Sequence, residues 1–138
     1  MNNITIKEYG NYIESQVLGL YRSVGWSAYY HQPEVLKRAF ENSLYILGAY
    51  DGGELVGLLR AVGDGETIVF LQDILVRPDH QRRGIGRGLI ARFFQEYQHV
   101  RQLHLLTDDT PATVGFYRSV GFIPAEELHC KTFTRLRY

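Results

Sequence analysis

From Asp73 to Leu89 the chain reads Asp-Ile-Leu-Val-Arg-Pro-Asp-His-Gln-Arg-Arg-Gly-Ile-Gly-Arg-Gly-Leu, and these residue types could hold an anion. An apolar run stops at Pro78, a basic loop follows, and Gly84, Gly86 and Gly88 open an amphipathic segment. A helix start leaves about four backbone N–H groups unpaired and carries roughly half a positive charge. Glycines let a ligand come close to that backbone. Across residues 77–92 five arginines (Arg77, Arg82, Arg83, Arg87 and Arg92) stand against Asp79 alone, in a chain whose 15 basic and 15 acidic residues cancel. Arginines in a first turn oppose the helix dipole, so they do not serve the helix itself. The plain alternative is a solvated basic turn with ordinary capping glycines; strand, arginines and helix in that order favour a phosphate or pyrophosphate. A dinucleotide fingerprint needs a third glycine where Leu89 stands, and a Walker A loop needs a Gly-Lys-Ser/Thr that the sequence lacks.

The elements that must position this turn follow from the hydrophobic period. Ile4 and Ile6 mark a short strand; Ile13, Val17, Leu20, Tyr21 and Val24 fall at helical spacing. Trp26 to Gln32 reads as a loop, and Pro33 opens a second helix carrying Leu36, Ala39 and Phe40. Residues 44–76 read as an antiparallel meander, with turns at Asp51-Gly52-Gly53 and Gly63-Asp64-Gly65. Gly84 to Tyr97 is a helix, Gln102 to Leu106 a strand parallel to the one before it, Ala112 to Val120 a helix, and Leu128 to Leu136 a final strand. The fold class is mixed α/β, a mostly antiparallel sheet flanked by helices.

At 138 residues the chain has the length of one domain, residues 1–138, at roughly 100–200 residues per domain. Zero net charge argues against a nucleic-acid partner. No apolar run approaches the ~18 residues of a membrane helix, and Met1 to Lys7 lacks a signal-peptide pattern, so a cytoplasmic setting is expected. Cys130 is the sole cysteine, which excludes an internal disulfide; it is expected on the final strand. His80, His99, His104 and His129 form no metal-ligand pattern, and His80 is expected at the surface. Monomer and homodimer are equally open.

At Gln81, Gly84 and Gly86 the chain resembles the acetyl-CoA loop of the GCN5-related N-acetyltransferases, [Gln/Arg]-x-x-Gly-x-[Gly/Ala]. Phe116-Tyr117-Arg118-Ser119-Val120-Gly121-Phe122 resembles a second motif of that family. The resemblance is close from Leu44 to Pro124. Val24-Gly25-Trp26, Gln72 to Val76 and Phe116-Tyr117-Arg118 are most similar to its small plastid-type, arylalkylamine-related members. Many members carry Asn where Thr110 stands, so Thr110 offers a hydroxyl in place of an amide.

The resemblance implies direct transfer of an acetyl group from acetyl-CoA, as cosubstrate, to the primary amine of a small molecule or a protein. It implies two splayed parallel strands, Thr67–Val76 and Gln102–Leu106, with the backbone of Ile74, Leu75 and Val76 pairing the pantetheine arm. The amides of Arg82, Arg83, Gly84, Ile85, Gly86, Arg87 and Gly88 would cradle the pyrophosphate, with Gln81, Thr110 and Phe116 at further cofactor positions. Tyr117 is the candidate acid for the departing thiolate, since a phenol with pKa about 10 stays protonated at neutral pH. Asp73 is the candidate base: an acid in an apolar strand is costly unless paired or functional. Its alternatives are a solvent-facing position or a pair with an arginine such as Arg60. Trp26, Tyr29 and Tyr30 form the candidate acceptor wall, by stacking or cation–π attraction, or else staple their loop to the core. A CoA-binding sensor or interaction module without catalysis is the competing reading.

Overall fold

The period-two runs pair as a five-stranded sheet in a computed structural model that describes residues 3–137. The strands are β1 (Ile4–Glu8), β2 (Tyr45–Asp51), β3 (Glu54–Gly63), β4 (Ile68–Val76) and β5 (Gln102–Leu105), adjacent in that order. β1 to β4 run antiparallel, while β5 pairs parallel with β4. Gly63 closes the β3–β4 turn at φ 142°, where a Cβ would lie 2.4 Å from the Ile68 carbonyl oxygen. Asp64 then accepts the N–H groups of Glu66, Thr67 and Ile68.

Helices cover both faces. α1 (Glu14–Ser23), a four-residue α2 (Ser27–Tyr30) and α3 (Pro33–Glu41) bring Val17, Leu20, Tyr21, Leu36 and Phe40 into one buried cluster with Leu58 and Leu75. α2 lies inside the stretch expected to be a loop; its four residues turn on carbonyls of Trp26 and Ser27, and its aromatics pack against the core. α4 (Ile85–Glu96) lies on the other face, burying Ile85, Leu89, Ile90 and Phe93. Close approach there depends on Gly57, whose Cβ would come within 3.1 Å of Ile85 Cγ2.

The chain packs as two compact units, the first ending at Leu106 and the second beginning at Thr107. The second holds α5 (Pro111–Ser119) and a 3₁₀ turn at Ala125–Leu128, joined by an ion pair between Arg118 and Glu127. The final strand expected over Leu128–Leu136 does not form: residues 129–137 have no regular structure and are exposed, Phe133 by 91%. The alternation misled because it carries no apolar face. Leu128 and Cys130 are separated from Leu136 on one side by Thr132 and Thr134, and Phe133 falls on the other with His129, Lys131 and Arg135. Cys130 accordingly sits in exposed, irregular chain and not on a strand.

Candidate active site

β4 changes character halfway. Ile68 to Leu71 pair with Gln102 to Leu105 of β5, and from Gln72 onward only β3 remains as partner. The change coincides with a bulge: Arg60 faces Asp73 while the next residue, Ala61, faces Leu71, leaving Gln72 as the extra residue. Opposed residues share a face, and β3 alternates regularly there. Leu71 and Ile74 therefore lie on the α4 side, opposite Ala61 and Leu59, whereas Asp73 and Leu75 lie on the α1 side, opposite Arg60 and Leu58. One inserted residue carries the carboxylate across the sheet.

Backbone alternation then fixes which groups of the half-paired segment are open. Arg77 N–H donates to the Val56 carbonyl at 2.8 Å, so Arg77, Leu75 and Asp73 direct their backbone groups toward β3. Ile74 and Val76 direct theirs to the side that β5 has left. The Val76 carbonyl there accepts from Gln81 Nε2 at 3.0 Å. Leu75, expected to contribute backbone to the cofactor, instead gives its backbone to β3 and its side chain to the core.

The open edge runs into the glycine-rich turn. Pro78–His80 form a single 3₁₀ turn, Arg82 takes φ 65°, and Gly84 caps α4 at φ 82°, a left-handed conformation that favours glycine. The N–H groups of Gly84, Ile85 and Gly86 have no carbonyl one turn earlier in the helix, and no acidic residue occupies the first turn. Gly88 differs from expectation: its N–H donates to the Gly84 carbonyl at 3.0 Å, closing the first turn. Its missing Cβ makes room for Ile6, whose Cδ1 would lie 3.0 Å away. The Ile85 side chain is buried, while Arg82, Arg83 and Arg87 are exposed. His80 is not a surface residue: it is 8% exposed, with Nδ1 2.8 Å from Asp79 and Nε2 2.9 Å from Asp51. These two bonds raise the imidazole pKa and tie the loop to the end of β2.

Asp73, 2% exposed, sits at the centre of a side-chain network. Its Oδ2 accepts from Arg60 Nε at 2.8 Å and from Tyr21 Oη at 2.9 Å, and its Oδ1 from Tyr29 Oη at 2.9 Å. Arg60 Nη1 continues to Ser43 Oγ, and Gln72 Nε2 donates to Tyr29 Oη at 3.3 Å. Burial works against the Arg60 charge, but Asp73 outweighs it and raises the guanidinium pKa. Burial, reinforced by Asp73, also raises the Tyr21 and Tyr29 phenols. Of the alternatives open for Asp73, the pair with Arg60 is formed. Tyr21 was not anticipated, since its helical spacing marks it only as core; Gln72 gave no signal, because a bulge has no sequence period.

Of the aromatic trio, Trp26 and Tyr29 are in ring contact with each other. Tyr29 packs edge-on against Tyr21 at 5.2 Å and tilted against Trp26 at 6.1 Å, and Tyr30 lies under the Arg22 guanidinium at 5.1 Å. All three are half-buried against the core.

In the second unit, Thr110 caps α5 by accepting the Thr113 N–H, which gives its hydroxyl a local structural role. Tyr117 packs edge-on between Phe116 (5.1 Å) and Phe122 (6.0 Å). Burial raises its phenol pKa against an opposing hydrogen bond with the Thr107 side chain, so it carries its proton at neutral pH.

Comparison with known proteins bears on this arrangement. The model of the acetyltransferase (GNAT) family matches residues 14–122. A GNAT-family acetyltransferase of Streptococcus pneumoniae TIGR4 superposes with a TM-score of 0.88 at 40% identity, covering 97% of this chain and 98% of that one. An aminoglycoside N-acetyltransferase in complex with CoA superposes at a TM-score of 0.73 and 20% identity over 98% of this chain and 95% of that one, a likeness of fold alone. In sequence, the chain is 32% identical over 95 residues to serotonin N-acetyltransferase 2, chloroplastic, of Oryza sativa subsp. japonica, spanning 66% of this chain and 48% of that protein. The chain thus covers about half the length of that curated relative.

Proposed function

The chain belongs to the acetyltransferase (GNAT) family, an enzyme family, and on that premise we propose that it acetylates a primary amine of a small molecule or a protein by direct transfer from acetyl-CoA within a ternary complex. The observation that carries this reading is the continuity of the open β4 edge with the glycine-rich helix start. A pantetheine arm has amides that can add to a sheet edge, and a pyrophosphate suits a cup of main-chain donors; both features stand side by side on one strand–turn–helix segment.

Ile74 and Val76 would pair the arm, the N–H groups of Gly84, Ile85 and Gly86 would hold the pyrophosphate, and Arg82 and Arg83 would add charge. When bound, acetyl-CoA supplies an activated thioester. One of the two open N–H groups, of Ile74 or Val76, would polarise the acetyl carbonyl, a fixed donor that needs no rearrangement as charge develops. Tyr117, protonated at neutral pH, is assigned by its motif to protonate the thiolate. The Tyr29–Asp73 network, with Trp26 and Tyr30, is assigned to the amine.

Calorimetry and thermal melting test the reading. At a hundredfold excess over its Kd, acetyl-CoA stabilises by about 2.7 kcal/mol, whereas NAD and ATP give no comparable shift. Release of CoA thiol with a panel of primary amines is expected in the same preparation. An equal response to NAD, or none to acetyl-CoA, removes the assignment.

A further inference from the structure

Gln72 is the first residue of β4 beyond its β5 pairing, Tyr29 of α2 accepts its amide, and the polar atoms of both have assigned directions. Tyr29 has one hydroxyl proton, and it goes to Asp73 Oδ1 at 2.9 Å. Arg60 and Tyr21 both occupy the other carboxylate oxygen, so Asp73 is held on two sides. With its proton committed, Tyr29 Oη is solely an acceptor toward anything else. One of its lone pairs meets Gln72 Nε2 at 3.3 Å, which turns Oε1 of that exposed amide away from Tyr29. Two neutral oxygens, Tyr29 Oη and Gln72 Oε1, thereby remain as neighbouring acceptors at the β4 bulge, while the charge of Asp73 is matched by Arg60.

Resting on the acetyltransfer reading above, we propose that this pair of oxygens selects and orients a primary amine. An uncharged primary amine has two N–H bonds and one lone pair. With the N–H groups given to Tyr29 Oη and Gln72 Oε1, the lone pair is the part left to attack the acyl carbon. As the N–C bond forms the C–S bond breaks, one N–H proton passes to solvent, and the thiolate takes up a proton and leaves as thiol. An uncharged secondary amine has one N–H and satisfies only one of the two oxygens. A site built to hydrogen-bond a group discriminates against the analogue that lacks it, because a polar atom is left unpaired. Asp73 is in this account a positioning residue: it fixes the direction of the Tyr29 hydroxyl and does not itself touch the amine.

The test compares wild type and Tyr29→Phe with n-butylamine and N-methylbutylamine at saturating acetyl-CoA. Phenylalanine keeps the ring that packs on Tyr21 and Trp26, so the variant folds, which its circular dichroism melt verifies. The expected result is a KM for n-butylamine raised about tenfold, with kcat within about threefold and an unchanged acetyl-CoA Kd by calorimetry. The wild-type preference for n-butylamine over N-methylbutylamine should shrink in the variant by a similar factor. An unchanged KM, a loss confined to kcat, or an unchanged preference overturns the proposal. Failure of the wild type to bind acetyl-CoA strikes the acetyltransfer reading instead, and is read separately in the calorimetry.

Discussion

The two halves of the site are built from opposite materials. The glycine-rich turn presents main-chain N–H groups without helical partners on an exposed, arginine-lined surface. The Asp73 network is made of side chains, keeps Asp73, Arg60 and Tyr21 buried, and has every oxygen of its carboxylate engaged. The first costs little to maintain, because an exposed helix start can be solvated until a ligand arrives. The second is tied to the fold, because a buried charge depends on its partners. On the proposed reading, binding of the shared donor molecule would fall to backbone, and handling of the acceptor to side chains.

The contrast is broken most directly at Arg60. Arg60→Ala leaves Asp73 charged and buried without its counterion, and a loss of about 3–5 kcal/mol in urea unfolding is expected. Replacing both partners together, Arg60→Met with Asp73→Leu, should recover most of that loss, because well-packed apolar residues tolerate the site. If the single and double variants are equally unstable, the network is not held by its ion pair.

A change in the turn should do the reverse, weakening ligand binding more than the fold. Gly84 takes φ 82° with no atom within 4 Å of a built Cβ, so Gly84→Val is opposed by conformation alone. A left-handed non-glycine residue costs roughly 1–2 kcal/mol, and relief of that strain would move the first-turn amides. An acetyl-CoA Kd raised about tenfold or more by calorimetry, with folding intact, is the expected outcome; unchanged affinity would place the pyrophosphate elsewhere.

The smallest effect concerns the link between the two materials. His80 fastens the loop to Asp51 and Asp79, and these bonds raise its pKa in the folded chain. A raised folded pKa means that the stabilisation is complete below the ordinary imidazole value of about 6.5 and disappears as pH climbs through the folded value. The melting-temperature gap between wild type and His80→Gln should therefore be wider at pH 6 than at pH 9. A gap that widens with rising pH would contradict the clamp.

How much of this was legible beforehand follows the same division. The turn could be read directly, since glycines, arginines and a helix start lie consecutively in the chain. Even there, Gly88 and Leu75 look in sequence like ligand contacts, whereas backbone pairing assigns them to the helix and the sheet. Asp73 stood out as an acid among apolar residues, and Arg60 could be weighed as its partner because both strands meet at one hairpin. Tyr21 could not be weighed, because a tyrosine on a helical face looks the same whether its hydroxyl meets solvent or a carboxylate 52 positions away. The last strand was the reverse error: alternation was present, but strands persist through partners and an apolar face, and neither was supplied.

By itself, then, the order of residues determined the glycine-rich turn, the meander and the crossover, because each depends on neighbours within one or two elements. Which face of β4 bears Asp73 was decided only by the tertiary structure. A single bulged residue, Gln72, reverses the side on which everything after it points, and bulges arise from how two strands and the helices above them fit together, not from any local preference.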